Sequence, residues 1–327
     1  MSANMDNSIS RRRFMAQAAA AGAAVLAGGA LIAAEPAPPS GPAVVIVRDA
    51  SRKSIEGMKP DAVIVKKLVD RAVMNLAEKD NVAAAWGRFV SKKDKVAIKF
   101  NGLCPNATTH PEVILAVADG ILQAGVDPAN VIIFDRQTKD VATVRLKENR
   151  EGMEPRIYGT DGSYGAACKT GPIETQLSRI LEEADVLVNV PFMKSHVQAG
   201  VSGALKNHLG TVPNAAAFHV EDCAYIADIN ALPQVKDKTR ICILDAIYGL
   251  FDGGPDFNAK SRWDYHGILA SADPVALDTV MEDIIRARRL EEKLTPRNNS
   301  IIHITRAAEL GLGCADLAGI RRLETEI

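Results

Sequence analysis

The chain has 327 residues, 47% of them hydrophobic and 24% charged, with a formal net charge of −1. Near-neutral charge excludes the basic surface that nucleic-acid binding requires, while ordinary hydrophobic content suffices for one large core or two small lobes. Aromatic residues make up only 5%, which argues against a carbohydrate-stacking face.

Along the chain, the first feature is Ser10-Arg11-Arg12-Arg13-Phe14-Met15, followed by an uncharged Ala/Gly-rich stretch to Ala34. The pattern predicts a twin-arginine signal over residues 1–34, a Pro-rich linker over 35–42 and one α/β domain over 43–327. Its weak hydrophobicity favours cleavage, so the expected product is periplasmic or extracellular with no stable membrane anchor. The twin-arginine translocase is then a partner during export. That route carries folded proteins, which raises the expectation of a tightly held cofactor or metal. Loss of the signal removes three of 39 basic and one of 40 acidic residues, giving a mature charge of −3. The five cysteines (Cys104, Cys168, Cys223, Cys242 and Cys314) contain no C-x-x-C pair, so they read as core thiols.

Past the linker, short β-branched apolar runs alternate with helical patterns, as in a mainly parallel sheet flanked by helices. Strands are expected at Val44–Val47, Val96–Phe100, Val131–Phe134, Val186–Val190 and Ile241–Leu244. Helices are expected over Asp61–Lys79, Pro111–Gln123 with Thr109 as N-cap, Ile173–Ala184, and Pro274–Arg286 capped by Asp273.

The polar residues cluster just beyond these strands, where open α/β sheets form their ligand crevices. Lys99 and Asn101 follow the second strand, and two readings of Lys99 stand open: a ligand clamp or an edge-strand lysine in water. Thr108, Thr109 and His110 precede a helix whose free N–H groups suit an anion. The densest stretch runs from Lys194 to His219, with Lys194, His196, Lys206 and His208 and glycines at 200, 203 and 210. Its lysines suit a carboxylate or phosphate. His196, His208 and His219, with Asp222 or Asp245, are candidate ligands for a transition metal. No G-x-S-x-G elbow, P-loop or G-x-G-x-x-G occurs, so serine hydrolase, NTPase and ordinary dinucleotide readings lose their support.

Four ordered motifs then resemble the domain of unknown function 362 family: Thr108-Thr109-His110-Pro111, Asn189 through His196, Gly203-Ala204-Leu205-Lys206-Asn207, and Asp273 through Asp278. The segment from His196 to Lys206 is also similar, more distantly, to nickel-pincer lactate racemases. That second resemblance implies His196 as acid/base, Lys206 as anchor of a covalently linked cofactor and His219 as a nickel ligand. The racemase Gly-Gly-Arg before the lysine is Gly203-Ala204-Leu205 here, and no second acid/base histidine lies near Asp135.

The combined expectation is an exported, metal- or cofactor-assisted enzyme acting on a small anion, a hydroxy acid or sugar acid, by proton or hydride transfer. His196, Lys206 and Lys194 would be catalytic, and Lys99, Asn101, Thr108, Thr109, His110 and Asn207 would bind substrate. His219, His208 and Asp245 would hold nickel, iron or zinc. The alternative is a non-catalytic extracytoplasmic metal- or anion-binding protein. All of this requires the polar residues between Lys99 and His219 to converge on one cleft.

Overall fold

A computed structural model describes residues 40–295 and 301–327. The expected export signal and most of the linker lie outside the described residues. In chain order the strands are β1 (Ala43–Arg48), β2 (Ile55–Glu56), β3 (Lys59–Pro60), β4 (Val96–Phe100), β5 (Val131–Asp135), β6 (Arg156–Gly159), β7 (Tyr164–Thr170) and β8 (Ile173–Ser178). They continue as β9 (Val186–Val190), β10 (Phe192–His196), β11 (Gly200–Ser202), β12 (Thr239–Leu250), β13 (Arg262–Trp263), β14 (Gly267–Ser271) and β15 (Arg321–Glu326).

The main sheet runs β15-β1-β14-β12-β9-β4-β5-β6, with β10, β11 and β13 attached off this path. From β12 to β6 every neighbouring pair is parallel, while β14 lies antiparallel to both β1 and β12. The expected α/β class with a mainly parallel sheet is therefore the observed one.

Side-chain alternation explains how the sheet is covered on both faces. Val96, Ile98 and Phe100 join one apolar cluster with Val65, Leu68, Trp86, Val113 and Ile121, from helices Ala62–Ala77, Val82–Trp86 and Pro111–Gln123. The intervening Ala97 and, on β9, Leu187 join the other cluster, with Leu205, Ile226, Val280 and Ile304. Lys99 shares the face of Ala97, so its side chain enters the second layer.

Several local expectations change. The segment Ile173–Ala184, expected as a helix, is strand β8 followed by the short helix Arg179–Glu183. Gly171 at φ +58° turns the chain from β7 into β8, and the Gly171-Pro172 pair carried that turn signal. The N-cap of Pro111–Gln123 is His110, not Thr109, because the Thr109 hydroxyl donates to the Val190 carbonyl and accepts from the Asn101 amide. Asp273 does cap Pro274–Glu291, through the amide of Ala276. The cysteines are all free thiols, with Cys104, Cys223 and Cys242 buried. No described helix is long and apolar enough to cross a membrane.

Candidate functional site

The carboxyl ends of β4, β5 and β10 open into a pocket of about 120 Å³. Each strand delivers its own polar group: Lys99 and Asn101 from β4, Asp135 and Arg136 from β5, Lys194 and His196 from β10. The turn of helix Ala204–Asn207 adds Lys206, and the segment after it adds His219. The residues lining this space carry four cations, Lys99, Lys194, Lys206 and Arg136, against two carboxylates, Asp135 and Asp140. Positive charge in excess in a poorly hydrated space attracts a small anion.

Lys99 is not an edge-strand lysine in water. Its strand is interior, between β9 and β5, and its ammonium is buried against Asp135 at 2.6 Å. It also donates to the Phe100 carbonyl at 2.5 Å and to Asn207 Oδ1 at 3.3 Å. Asp135 in turn accepts the amides of Gly102 and Arg136, both at 2.7 Å. Gly210 makes room for the pair, since a Cβ there would stand 2.4 Å from Asp135 Oδ1 and 2.6 Å from Lys99 Nζ.

Lys194 is fully enclosed and donates to Asn101 Oδ1 at 3.0 Å and to the Ala107 carbonyl at 2.7 Å. Burial lowers its pKa, because the ammonium has exchanged water for neutral oxygens. Lys206 is tuned further, its pKa brought down to about 8 by burial first and then by the Lys194 ammonium. Its Nζ lies 2.9 Å from His219 Nε2. His219 Nδ1 faces the Ala215 carbonyl at 3.2 Å, so Nδ1 carries the hydrogen and Nε2 accepts from Lys206.

His196 has the opposite tautomer. Its Nδ1 accepts the amides of Gln198 at 3.2 Å and Ala199 at 3.1 Å, which leaves the hydrogen on Nε2. Burial, then the nearby Lys206 ammonium, holds its pKa down to about 3. The His196 and His219 rings are 5.6 Å apart.

The Lys206 turn is held from below by Asp278. That fully buried carboxylate accepts the amides of Ala204 at 2.6 Å and Leu205 at 2.9 Å, and burial raises its pKa to about 7. Gly203 permits the approach, because a Cβ would come within 2.1 Å of Asp278 Oδ1. Asn207 is a buried hub beneath the pocket, donating to the Lys99 carbonyl at 3.1 Å and to Asn189 Oδ1 at 2.7 Å.

Of the residues singled out in the sequence, Lys99, Asn101, Lys194, His196, Lys206 and His219 line this pocket, and Asn207 supports it. The rest are elsewhere. Thr109 ties β4 to β9. Thr108 and His110 line a separate pocket. His208 lies under the sheet, where its Nε2 accepts from Asn189 at 3.3 Å, and burial lowers its pKa to about 3. Asp245 is bound to His110 at 2.8 Å.

The expected metal set of His219, His208 and Asp245 is thus corrected: the three occupy three environments. Alternation along the strands and the turn at residues 208–211 send them to different layers. Among the described residues no group of three or more His, Cys, Asp or Glu side chains is arranged to hold a metal.

Asp135, Arg136, Cys104 and Asp140 also line the pocket and were not among the expected site residues. Only Asp135 and Arg136 had a usable signal, their place just after an apolar run.

Fold and site together define an α/β protein with a lysine-lined pocket at the carboxyl edge of its parallel strands. The chain belongs to the domain of unknown function family DUF362, whose pattern matches residues 96–283. This is the family the four motifs resembled. A thylakoid-associated protein from Synechocystis sp. is 29% identical over 220 residues, covering 61% of this chain. The chain spans 65% of that relative's length. Similar solved structures include the lactate racemase apoprotein from Thermoanaerobacterium thermosaccharolyticum, with a TM-score of 0.43 at 12% identity, covering 74% of this chain and 57% of that one. Another is a Thermotoga maritima protein, with a TM-score of 0.44 at 12% identity, covering 73% and 61%. Likeness at this level bears on no point of the chemistry.

Proposed function

We propose that this protein is an exported enzyme that moves a proton on a small anionic substrate, a hydroxy acid or sugar acid, in the lysine pocket. The observation that carries the reading is Lys206, a buried amine held against His219 with its pKa near 8, between two further buried lysines. A proton carrier works best when its pKa lies near the working pH, and Lys206 meets that condition where His196 does not. Lys99, Lys194 and Arg136 draw in the carboxylate. The free amine of Lys206 takes the proton from the carbon next to it. His196 gives a hydrogen bond from Nε2–H to the oxygen on which negative charge builds, keeping its proton, and Lys206 returns the abstracted proton to the carbon. Export rests on the sequence around Arg11-Arg12-Arg13.

A second reading, a non-catalytic anion-binding protein, is favoured by one feature. The pKa of His196 near 3 suits a permanent hydrogen-bond donor and not an acid/base. Incubating the full chain, matured in its own host, with 2-hydroxy and sugar acids in deuterated water separates the two. The enzyme reading expects deuterium at the carbon beside the carboxylate, lost in Lys206→Met. Stoichiometric binding of these acids without deuterium incorporation overturns it in favour of the binder.

A further inference from the structure

Thr108 and His110 face a pocket of about 110 Å³ that shares no residue with the lysine pocket. Asn106, Arg145 and Tyr248 also line it. The Tyr248 hydroxyl is engaged by the Asn106 carbonyl, whereas His110 is held in an unusual state.

Asp245 Oδ2 accepts both the backbone amide of His110 at 2.7 Å and its ring Nδ1–H at 2.8 Å. Asp245 Oδ1 is taken by the Ile247 amide at 3.1 Å, and the carboxylate is wholly buried. A carboxylate can only accept, so a ring hydrogen sits on Nδ1, and in the neutral ring Nε2 presents a lone pair. The ring is clamped edge-on between Tyr248, centroids 4.8 Å apart, and Phe192, at 5.9 Å. His110 is 5% exposed, and its Nε2 has no hydrogen-bond partner among the described residues. A buried acceptor oriented this firmly and left unsatisfied points to a missing donor.

Charge around the pocket indicates what the donor belongs to. Arg145 brings an exposed guanidinium to the wall, beside the start of helix Pro111–Gln123. A guanidinium favours a carboxylate. At about 110 Å³ the pocket suits a small ligand.

We propose that this pocket is a second ligand site, independent of the lysine pocket, for a small hydroxycarboxylate. The carboxylate pairs with Arg145 at the helix start, and the hydroxyl donates its hydrogen to His110 Nε2.

The test uses the full chain with ¹⁵N-labelled histidines, the His110 signals being assigned by their loss in His110→Gln. Glycolate is titrated against acetate, which lacks the hydroxyl. Glycolate is expected to shift the His110 Nε2 resonance saturably, about tenfold more tightly than acetate. Arg145→Leu, a change at an exposed position, is expected to weaken glycolate about tenfold, and Lys206→Met to leave the His110 response within about twofold. Three results overturn the proposal: no movement of His110 Nε2 up to about 100 mM glycolate, equal responses to glycolate and acetate, or a response abolished by Lys206→Met, which would place the ligand in the lysine pocket.

Discussion

Replacing Asp135 by Asn tests whether the lysine pocket is a region of low dielectric. The substitution keeps the volume and a carbonyl oxygen for the Gly102 amide, and removes the charge opposite Lys99. At 2.6 Å the pair attracts by about 6 kcal/mol gross for an effective dielectric of about 20. Part of that is offset by the desolvation of Asp135 itself, and removing one partner of a buried pair costs about 3–5 kcal/mol net. For a domain of this size about 2 °C of Tm is lost per kcal/mol, so a fall of about 6–10 °C is expected. Thermal and urea unfolding of Asp135→Asn, Lys99→Met and the double variant complete the cycle. Removing Lys99 on top of Asp135→Asn is expected to restore more than half of the loss, because the stranded charge is gone. A cost below about 1 kcal/mol, or no restoration in the double variant, would show a water-screened pair. The lowered pKa values of Lys194 and Lys206 would then lack their physical cause.

Other outcomes follow from the same geometry. Gly210→Ala pushes a methyl group into the Lys99–Asp135 pair and is expected to destabilise the protein by about 1–3 kcal/mol in urea unfolding. Asp278 has a folded-state pKa raised to about 7, so the stability it contributes is complete below its ordinary value near 4 and is lost as pH rises through 7. The Tm of Asp278→Asn is therefore expected to change less than that of the parent between pH 5 and 8, as read by calorimetry. Turnover is expected to rise with pH and level off above about 8, as Lys206 loses its proton, with about a tenfold gain from pH 7 to the plateau.

The β-branched runs over Val96–Phe100 and Val186–Val190 and the Pro-led helix Pro111–Gln123 were legible because each is buried by its own period. Strand β8 was not. Its core-facing positions are Ile173, Thr175 and Leu177, and the buried Thr175 is bonded to Asn214, so the polar residue among them broke the apolar alternation that signals a strand. Within the site, Lys194, His196 and Lys206 were legible from one dense polar segment. The pairing of Lys99 with Asp135 required knowing that β4 and β5 are neighbours, which spacing along the chain does not encode. Thr108 and His110 left the expected cleft because Thr109, between them, is fastened to the ends of β4 and β9. His208 and Asp245 bore the right chemistry for a metal, but their strand and turn positions direct them to different layers.

The central claim is that Lys206 carries a proton it can give up near neutrality. Competitive amine labelling of the full chain across pH 6–11, read peptide by peptide in the mass spectrometer, measures this directly. The account expects Lys206 to titrate near 8, well below the ordinary value of 10.5 that exposed lysines show in the same sample. A Lys206 that titrates with the exposed lysines would contradict it.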